Sequence, residues 1–147
     1  MSLEAAKELA PTGVLRAAIN MSNFLLVTGR TAGGDPDGVS PDMARELAKR
    51  LGVDLELIQY KTPGEVSDDA GKGIWDIGNI GAEPKRAEKI DFTAAYCEIQ
   101  STYMVPPGSK ITSLDQVDQT GNRIAVSARS AYDLWLERNI KKAELVR

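Results

Sequence analysis

The 147-residue sequence contains no histidine, and this absence excludes more chemistry than any other feature of its composition. Without an imidazole base, neither a Ser-His-Asp nor a Cys-His nucleophile system can be assembled, and histidine-ligated metal sites are excluded too. Cysteine is nearly absent. Cys97 stands alone, so no internal disulfide can form, and cysteine usage leaves the redox compartment open. With no histidine to activate it, Cys97 is expected to be a buried or half-buried structural thiol. No apolar run approaches the length that crosses a bilayer, which points to a soluble chain. There is no basic block and the net charge is −3, so no nucleic-acid partner is expected. Internal repeats, low-complexity tracts and a Gly-rich phosphate loop are missing, and Gly78-x-x-Gly81 lacks the dinucleotide-binding spacing. These absences leave no catalytic residue, metal or cofactor to assign.

What is present is enough apolar sequence, 42% of the chain, for one core and the start of a second. The most informative stretch is Gly71–Tyr96. It reads as a buried strand over Ile74–Ile80, a Gly-containing loop, one charged helical turn opened by Pro84, and a short extended piece at Asp91–Thr93. Ligands of open α/β sheets bind beyond the carboxyl ends of the strands, where this loop would lie. Arg86 falls just inside the turn, where a guanidinium could grip a carboxylate through two parallel hydrogen bonds. On its residues alone, Pro84–Lys89 reads equally as a solvated turn.

Leu3–Leu9 suggests a ragged helical turn and Val14–Ile19 a short apolar strand. A long Gly- and Asp-rich loop then runs from Asn20 to Asp37; loops of that length are usually functional or mobile. Ser40 and Pro41 read as N-cap and first helical residue, with Gly52 as terminator. Between them Met43, Ala44, Leu47, Ala48 and Leu51 line one face at helical period. Asp54–Tyr60 alternates as a strand, Pro63–Lys72 is a weak helix, and Trp75 inside the next strand reads as core. Strand–helix–strand–helix–strand implies parallel pairing with right-handed crossovers. Gln100–Val105 predicts another strand, stopped by Pro106-Pro107-Gly108 at a domain boundary. Beyond it come a short helix at Ser113–Val117, a strand at Arg123–Ser127, a helix at Ser130–Lys141 with Ser130 and Asp133 as a capping box, and a strand at Glu144–Val146.

Several linked pieces occur in one order: Gly73-Ile74-Trp75-Asp76-Ile77, Pro84-Lys85-Arg86-Ala87, Asp91-Phe92-Thr93 and Ala95-Tyr96. Upstream, Asp37-Gly38-Val39-Ser40-Pro41-Asp42-Met43-Ala44 leads through a helix to Leu51-Gly52-Val53. Together they resemble the signature of the family 3 extracellular solute-binding proteins, type II periplasmic binding proteins that deliver polar amino acids to ABC transporters. The resemblance implies a three-layer, mostly parallel α/β lobe over residues 12–105, then a hinge and an incomplete second α/β lobe over 106–147. It implies a small polar, carboxylate-bearing ligand, an amino acid or organic acid, in a cleft between lobes. A membrane ABC permease would be the partner, and the location periplasmic or extracellular. Met1-Ser2-Leu3 would then replace a removed leader.

Position by position, the resemblance gives Arg86 the ligand's α-carboxylate. Asn79 and Gly81 present small polar and backbone groups, Gly81 through its amide alone. Ser130 and the amide of Ala131 open a helix whose N-terminus favours anions, though an ordinary N-cap reads equally well. Asn20 and Phe24 fall where the family touches the ligand's side chain, Phe24 reading equally as local packing, and Tyr60 and Tyr96 are weaker candidates. Two departures stand out: Arg129 replaces a usual glycine, and Glu83 replaces a usual threonine. Glu83 could cap the turn, compete with a ligand carboxylate for Arg86, or welcome a cationic group. The chain also stops early for this family, as a fragment would; were it complete, its open sheet edge could pair with a second copy. A dehydratase on the same scaffold, with Glu83 and Glu98 as the local acid candidates, and a sensor domain are the alternative readings.

Overall fold

The computed structural model describes residues 3–147; Met1 and Ser2, expected with Leu3 to replace a removed leader, lie outside them. The chain forms two compact units, one reaching to Gly81 and the other spanning Ala82–Arg147.

The first unit is built on β1 (Val14–Asn20), the middle strand of a parallel sheet. Its flanking strands are β4 (Asp54–Tyr60) and β5 (Ile77–Asn79), both parallel to it. Helices α2 (Val39–Leu51) and α3 (Pro63–Asp68) occupy the connections, and α1 (Leu3–Leu9) precedes the sheet. The parallel α/β pattern expected from the element order is therefore the one adopted. Being central, β1 is buried on both faces: Leu15, Ala17, Ala18 and Ile19 are wholly inaccessible, as parallel strands between helical layers are. Burial of Leu15 and Ile19 is worth about 1.5–3 kcal/mol each. Ala44 and Ala48 of α2 bury against this sheet, while Leu47 and Leu51 are partly covered. Met43 is not part of that face; it stays 44% exposed.

The expected long loop is shorter, because β2 (Gly29–Arg30) and β3 (Pro36–Asp37) form an antiparallel hairpin within it. Ser40 is not the N-cap of α2. The helix starts at Val39 on Gly38 (φ 127°), which caps without a side chain, and Ser40 is buried in the first turn. Gly52 ends the helix in the left-handed region (φ 71°), as anticipated. Helix α3 starts at a reciprocal Thr62–Glu65 capping box and ends at Asp68 rather than Lys72. Strand β5 is also shorter than expected. Trp75 lies outside it and is half-buried, its indole N–H donating to the carbonyl of Val66 at 3.1 Å.

What precedes β5 is an ion-pair clasp. The Arg16 guanidinium meets Asp76 twice, Nε to Oδ2 at 3.0 Å and Nη2 to Oδ1 at 2.6 Å. The backbone N–H of Arg16 adds a third bond to Oδ2, and Nη1 donates to the carbonyl of Gly73. The Gly73-x-x-Asp76 spacing is thus a clasp on β1. The Arg16 hydrogen bond holds the Asp76 carboxyl below its ordinary range, against the opposing effect of burial. A carboxyl whose folded pKa is depressed stabilises above its unfolded pKa and loses that contribution as pH falls through the folded value. Stability of the first unit should therefore decline below about pH 4. Asp76→Asn should be less stable at neutral pH and show a flatter decline in acid. Urea unfolding across that range checks this, and parallel pH profiles for the two proteins would remove the clasp as a source of stability.

The second unit contains α4 (Pro84–Ala87), a 3₁₀ turn at Leu114–Gln116, β6 (Arg123–Ala125), α5 (Ala131–Asn139) and β7 (Glu144–Val146). Strands β6 and β7 pair in parallel. Asp118 accepts the backbone N–H groups of Lys141, Lys142 and Ala143 and so fixes the turn into β7. Asp91–Thr93 and Gln100–Val105 form no strand among the described residues. Apolar composition makes a segment suitable for a ladder, but a strand exists only where a partner backbone supplies the other half of its bonds. Cys97 is exposed, which corrects the expectation of a buried thiol; it sits in this ladder-free stretch.

Candidate functional site

In the first unit the sheet register aligns the candidate residues. Asn20 lies opposite Tyr60, and Ile19 opposite Asn79, so Asn20, Tyr60 and Asn79 close the carboxyl ends of three adjacent parallel strands. That edge is where open α/β sheets place ligands. Each side chain is also held locally. The buried Asn20 accepts the N–H and O–H of Ser22 on Oδ1, at 3.1 and 2.7 Å. Asn79 donates from Nδ2 to the carbonyl of Ser40 at 3.0 Å, tying β5 to the first turn of α2. The Tyr60 hydroxyl donates to Asp69 at 2.9 Å. Burial, reinforced by that acceptor, pushes the phenol up to about 12, so Tyr60 is a neutral donor at any physiological pH. Gly81 is exposed. Phe24 is 77% exposed, which argues against local packing as its role.

In the second unit Arg86 is 3% exposed. It lies in the single turn of α4, and its Nη2 donates to the carbonyl of Arg129 at 3.0 Å. Burial lowers its pKa, the charge of Glu83 opposes that, and the charge of Arg129 adds to it. The guanidinium stays a cation regardless. Ser130 caps α5 as expected, Oγ accepting the N–H of Asp133 at 3.1 Å, and Ala131 is the first helical residue. The capping box is altered: the Asp133 carboxylate receives the N–H of Arg129 at 2.7 Å instead of that of Ser130, and it also pairs with Arg147.

The two departures acquire physical content. Arg129 has φ 60°, the one non-glycine residue at positive φ among those described. Left-handed backbone costs a side-chain-bearing residue roughly 1–2 kcal/mol, which explains why glycine suits this position. Glu83 is buried and caps α4, accepting the N–H of Lys85 at 3.3 Å. Its other oxygen pairs with Arg138 in the last turn of α5. Burial pushes the Glu83 carboxyl up, but Arg138, the Lys85 N–H and the charge of Arg86 together hold it below the ordinary range.

Arg16, Arg138 and Arg147 escaped sequence reasoning. The one local signal for Arg138 is a cation in the last helical turn, which the helix dipole accounts for by itself. Nothing local marks Arg16 or Arg147.

The chain matches the family model for bacterial extracellular solute-binding proteins, family 3, over residues 18–145. It is 26% identical over 113 residues to the L-cystine-binding protein of Escherichia coli (strain K12), covering 76% of this chain and 42% of that protein. It is 27% identical over 139 residues to the cyclohexadienyl dehydratase of Pseudomonas aeruginosa, covering 92% of this chain and 51% of the enzyme. The chain thus spans about half the length of these relatives, or less. The crystal structure of an ancestral amino acid-binding protein, a precursor of cyclohexadienyl dehydratase, superposes with a TM-score of 0.77 at 23% identity, covering 97% of this chain and 63% of that one. At that identity the likeness speaks for the fold, which is that of the periplasmic binding proteins. On the extent of the family match, the chain belongs to the bacterial extracellular solute-binding proteins of family 3.

Proposed function

We propose that this chain is the ligand-binding part of a receptor for a small polar solute carrying a carboxylate, an amino acid or a close relative. Such a receptor works in the periplasm or outside the cell and hands its ligand to an ABC-type membrane permease. The observation that supports this reading best is Arg86: a buried guanidinium, oriented by the carbonyl of Arg129 at the start of α5. A guanidinium is a rigid fork that matches a carboxylate bidentately. Ser130 and Ala131 are proposed to add the hydroxyl and amide of the helix start. Asn20, Phe24, Tyr60, Asn79 and Gly81 are proposed contacts for the rest of the ligand. In this reading residues 12–105 belong to the first lobe and 106–147 to the hinge and second lobe.

Likeness to a dehydratase over 92% of this chain keeps a catalytic reading in play. Against it, Glu83 is engaged by Arg138 and by the Lys85 N–H, and its carboxyl is held low rather than raised as a general acid needs. Calorimetry on the full-length protein with a panel of amino acids and organic acids should find one that binds, and incubation with prephenate or arogenate should yield no product. Steady turnover abolished by Glu83→Gln would replace the receptor reading with the enzymatic one. A protein that binds no member of the panel and turns over neither acid would overturn both.

A further inference from the structure

Helix α4 is four residues long, too short to persist without outside attachments. Glu83 by itself makes four hydrogen bonds, three to the turn and one to α5. Its carbonyl accepts the N–H groups of Arg86 and Ala87, each at 2.9 Å, one carboxylate oxygen caps Lys85, and the other meets Arg138. Arg86 adds a tie of its own, from Nη2 to the carbonyl of Arg129. The turn is therefore fastened to α5 at two places. One precedes the Ser130 cap and the other lies in the helix's last turn, about 13 Å further along the axis. A body fastened at one point can pivot about any axis; a second, well-separated tie leaves rotation only about the line joining the two.

We propose that Glu83 and Arg138 are a positioning pair, Arg138 acting through Glu83 to hold the Arg86 guanidinium at the orientation in which it receives a carboxylate. The functional consequence rests on the reading of Arg86 given above; the brace itself does not. This assigns Glu83 a different task from choosing a cationic ligand, since such a ligand would have to displace Arg138. Each charge also suits its own helix end, the carboxylate at an N-terminus and the guanidinium at a C-terminus. Arg138 keeps 41% of its side chain exposed, so its replacement is compatible with folding.

The test compares the parent chain with Arg138→Gln, Arg138→Lys and Glu83→Gln by NMR, following exchange of the Arg86 Nε–H and of the Arg86 and Ala87 amides. The amide of Val126, which bonds the carbonyl of Val146, reports on the rest of the unit. Arg138→Gln and Glu83→Gln should each speed exchange at Arg86 by about tenfold or more while Val126 stays within about twofold. Arg138→Lys, which keeps a donor and the charge, should restore most of the protection. Unchanged exchange at Arg86 in Arg138→Gln would overturn the proposal. So would equal acceleration at Arg86 and Val126, which marks general destabilisation. Glycine, the smallest amino acid with a free carboxylate, is titrated into the same samples as a probe. If it perturbs Arg86 in the parent, Arg138→Gln should weaken that binding about fivefold. If it perturbs Arg86 in none of them, the carboxylate reading of Arg86 fails while the exchange data still decide the brace.

Discussion

Replacing Gly38 with alanine is expected to destabilise the first unit by about 3–5 kcal/mol, the sum of a backbone term and a packing term. The backbone term arises from φ 127° and ψ −174° at the N-cap of α2, a region open almost solely to glycine. The packing term arises because a Cβ there would stand 2.7 Å from the carbonyl oxygen of Leu26 and 2.9 Å from the amide nitrogen of Thr28. Neither atom can give way cheaply. The Leu26 carbonyl accepts the N–H of Ser40 at 3.0 Å, and the Thr28 N–H donates to the carbonyl of Asp37 at 2.9 Å. Domains are stable by about 5–15 kcal/mol in total, so the loss is a large share of the whole. Gly34→Ala is the matched control. That glycine is also at positive φ (92°) but has nothing within 4 Å of an added Cβ, so it should lose only about 1 kcal/mol. Urea unfolding of the three proteins checks the comparison, and equal midpoints for the two variants would remove the steric argument.

Arg86→Ala in the full-length protein should weaken binding of its best ligand by roughly a hundredfold or more. Charged hydrogen bonds contribute about 1.5–3 kcal/mol each, and a carboxylate left unpaired in a buried site costs further. Lys85→Ala should change affinity little. Lys85 is exposed, and its tie to Glu83 runs through the backbone N–H, which alanine keeps. Arg86→Lys should recover only part of the loss, because an ammonium offers no planar fork. Calorimetry on the three variants measures this, with a thermal melt to confirm folding, since Arg86 also bonds the carbonyl of Arg129. Parent-like affinity in Arg86→Ala would take Arg86 out of the site.

Features encoded within a few residues were legible before any coordinates. Apolar alternation marked β4, helical period marked α2, and the order of elements implied the parallel sheet that β1, β4 and β5 form. Gly52 and Ser130 announced their helix ends, because a left-handed φ and a side-chain oxygen ahead of a free N–H are local requirements. Linked motifs pointed to the family for the same reason. Which charges distant in sequence meet was settled in three dimensions. Arg16 and Asp76 are 60 positions apart, and Glu83 and Arg138 are 55 apart; no short window contains either pair. The fold likewise settled that Gln100–Val105 joins no ladder among the described residues, since a strand depends on its partner. It also decided the meaning of Glu83: local sequence allowed a cap, a competitor for Arg86 or a cation binder. Only the arrival of Arg138 from the far end of α5 turns a buried carboxylate into a cap with its charge already answered, because Coulomb attraction and hydrogen bonding act through space and not along the chain.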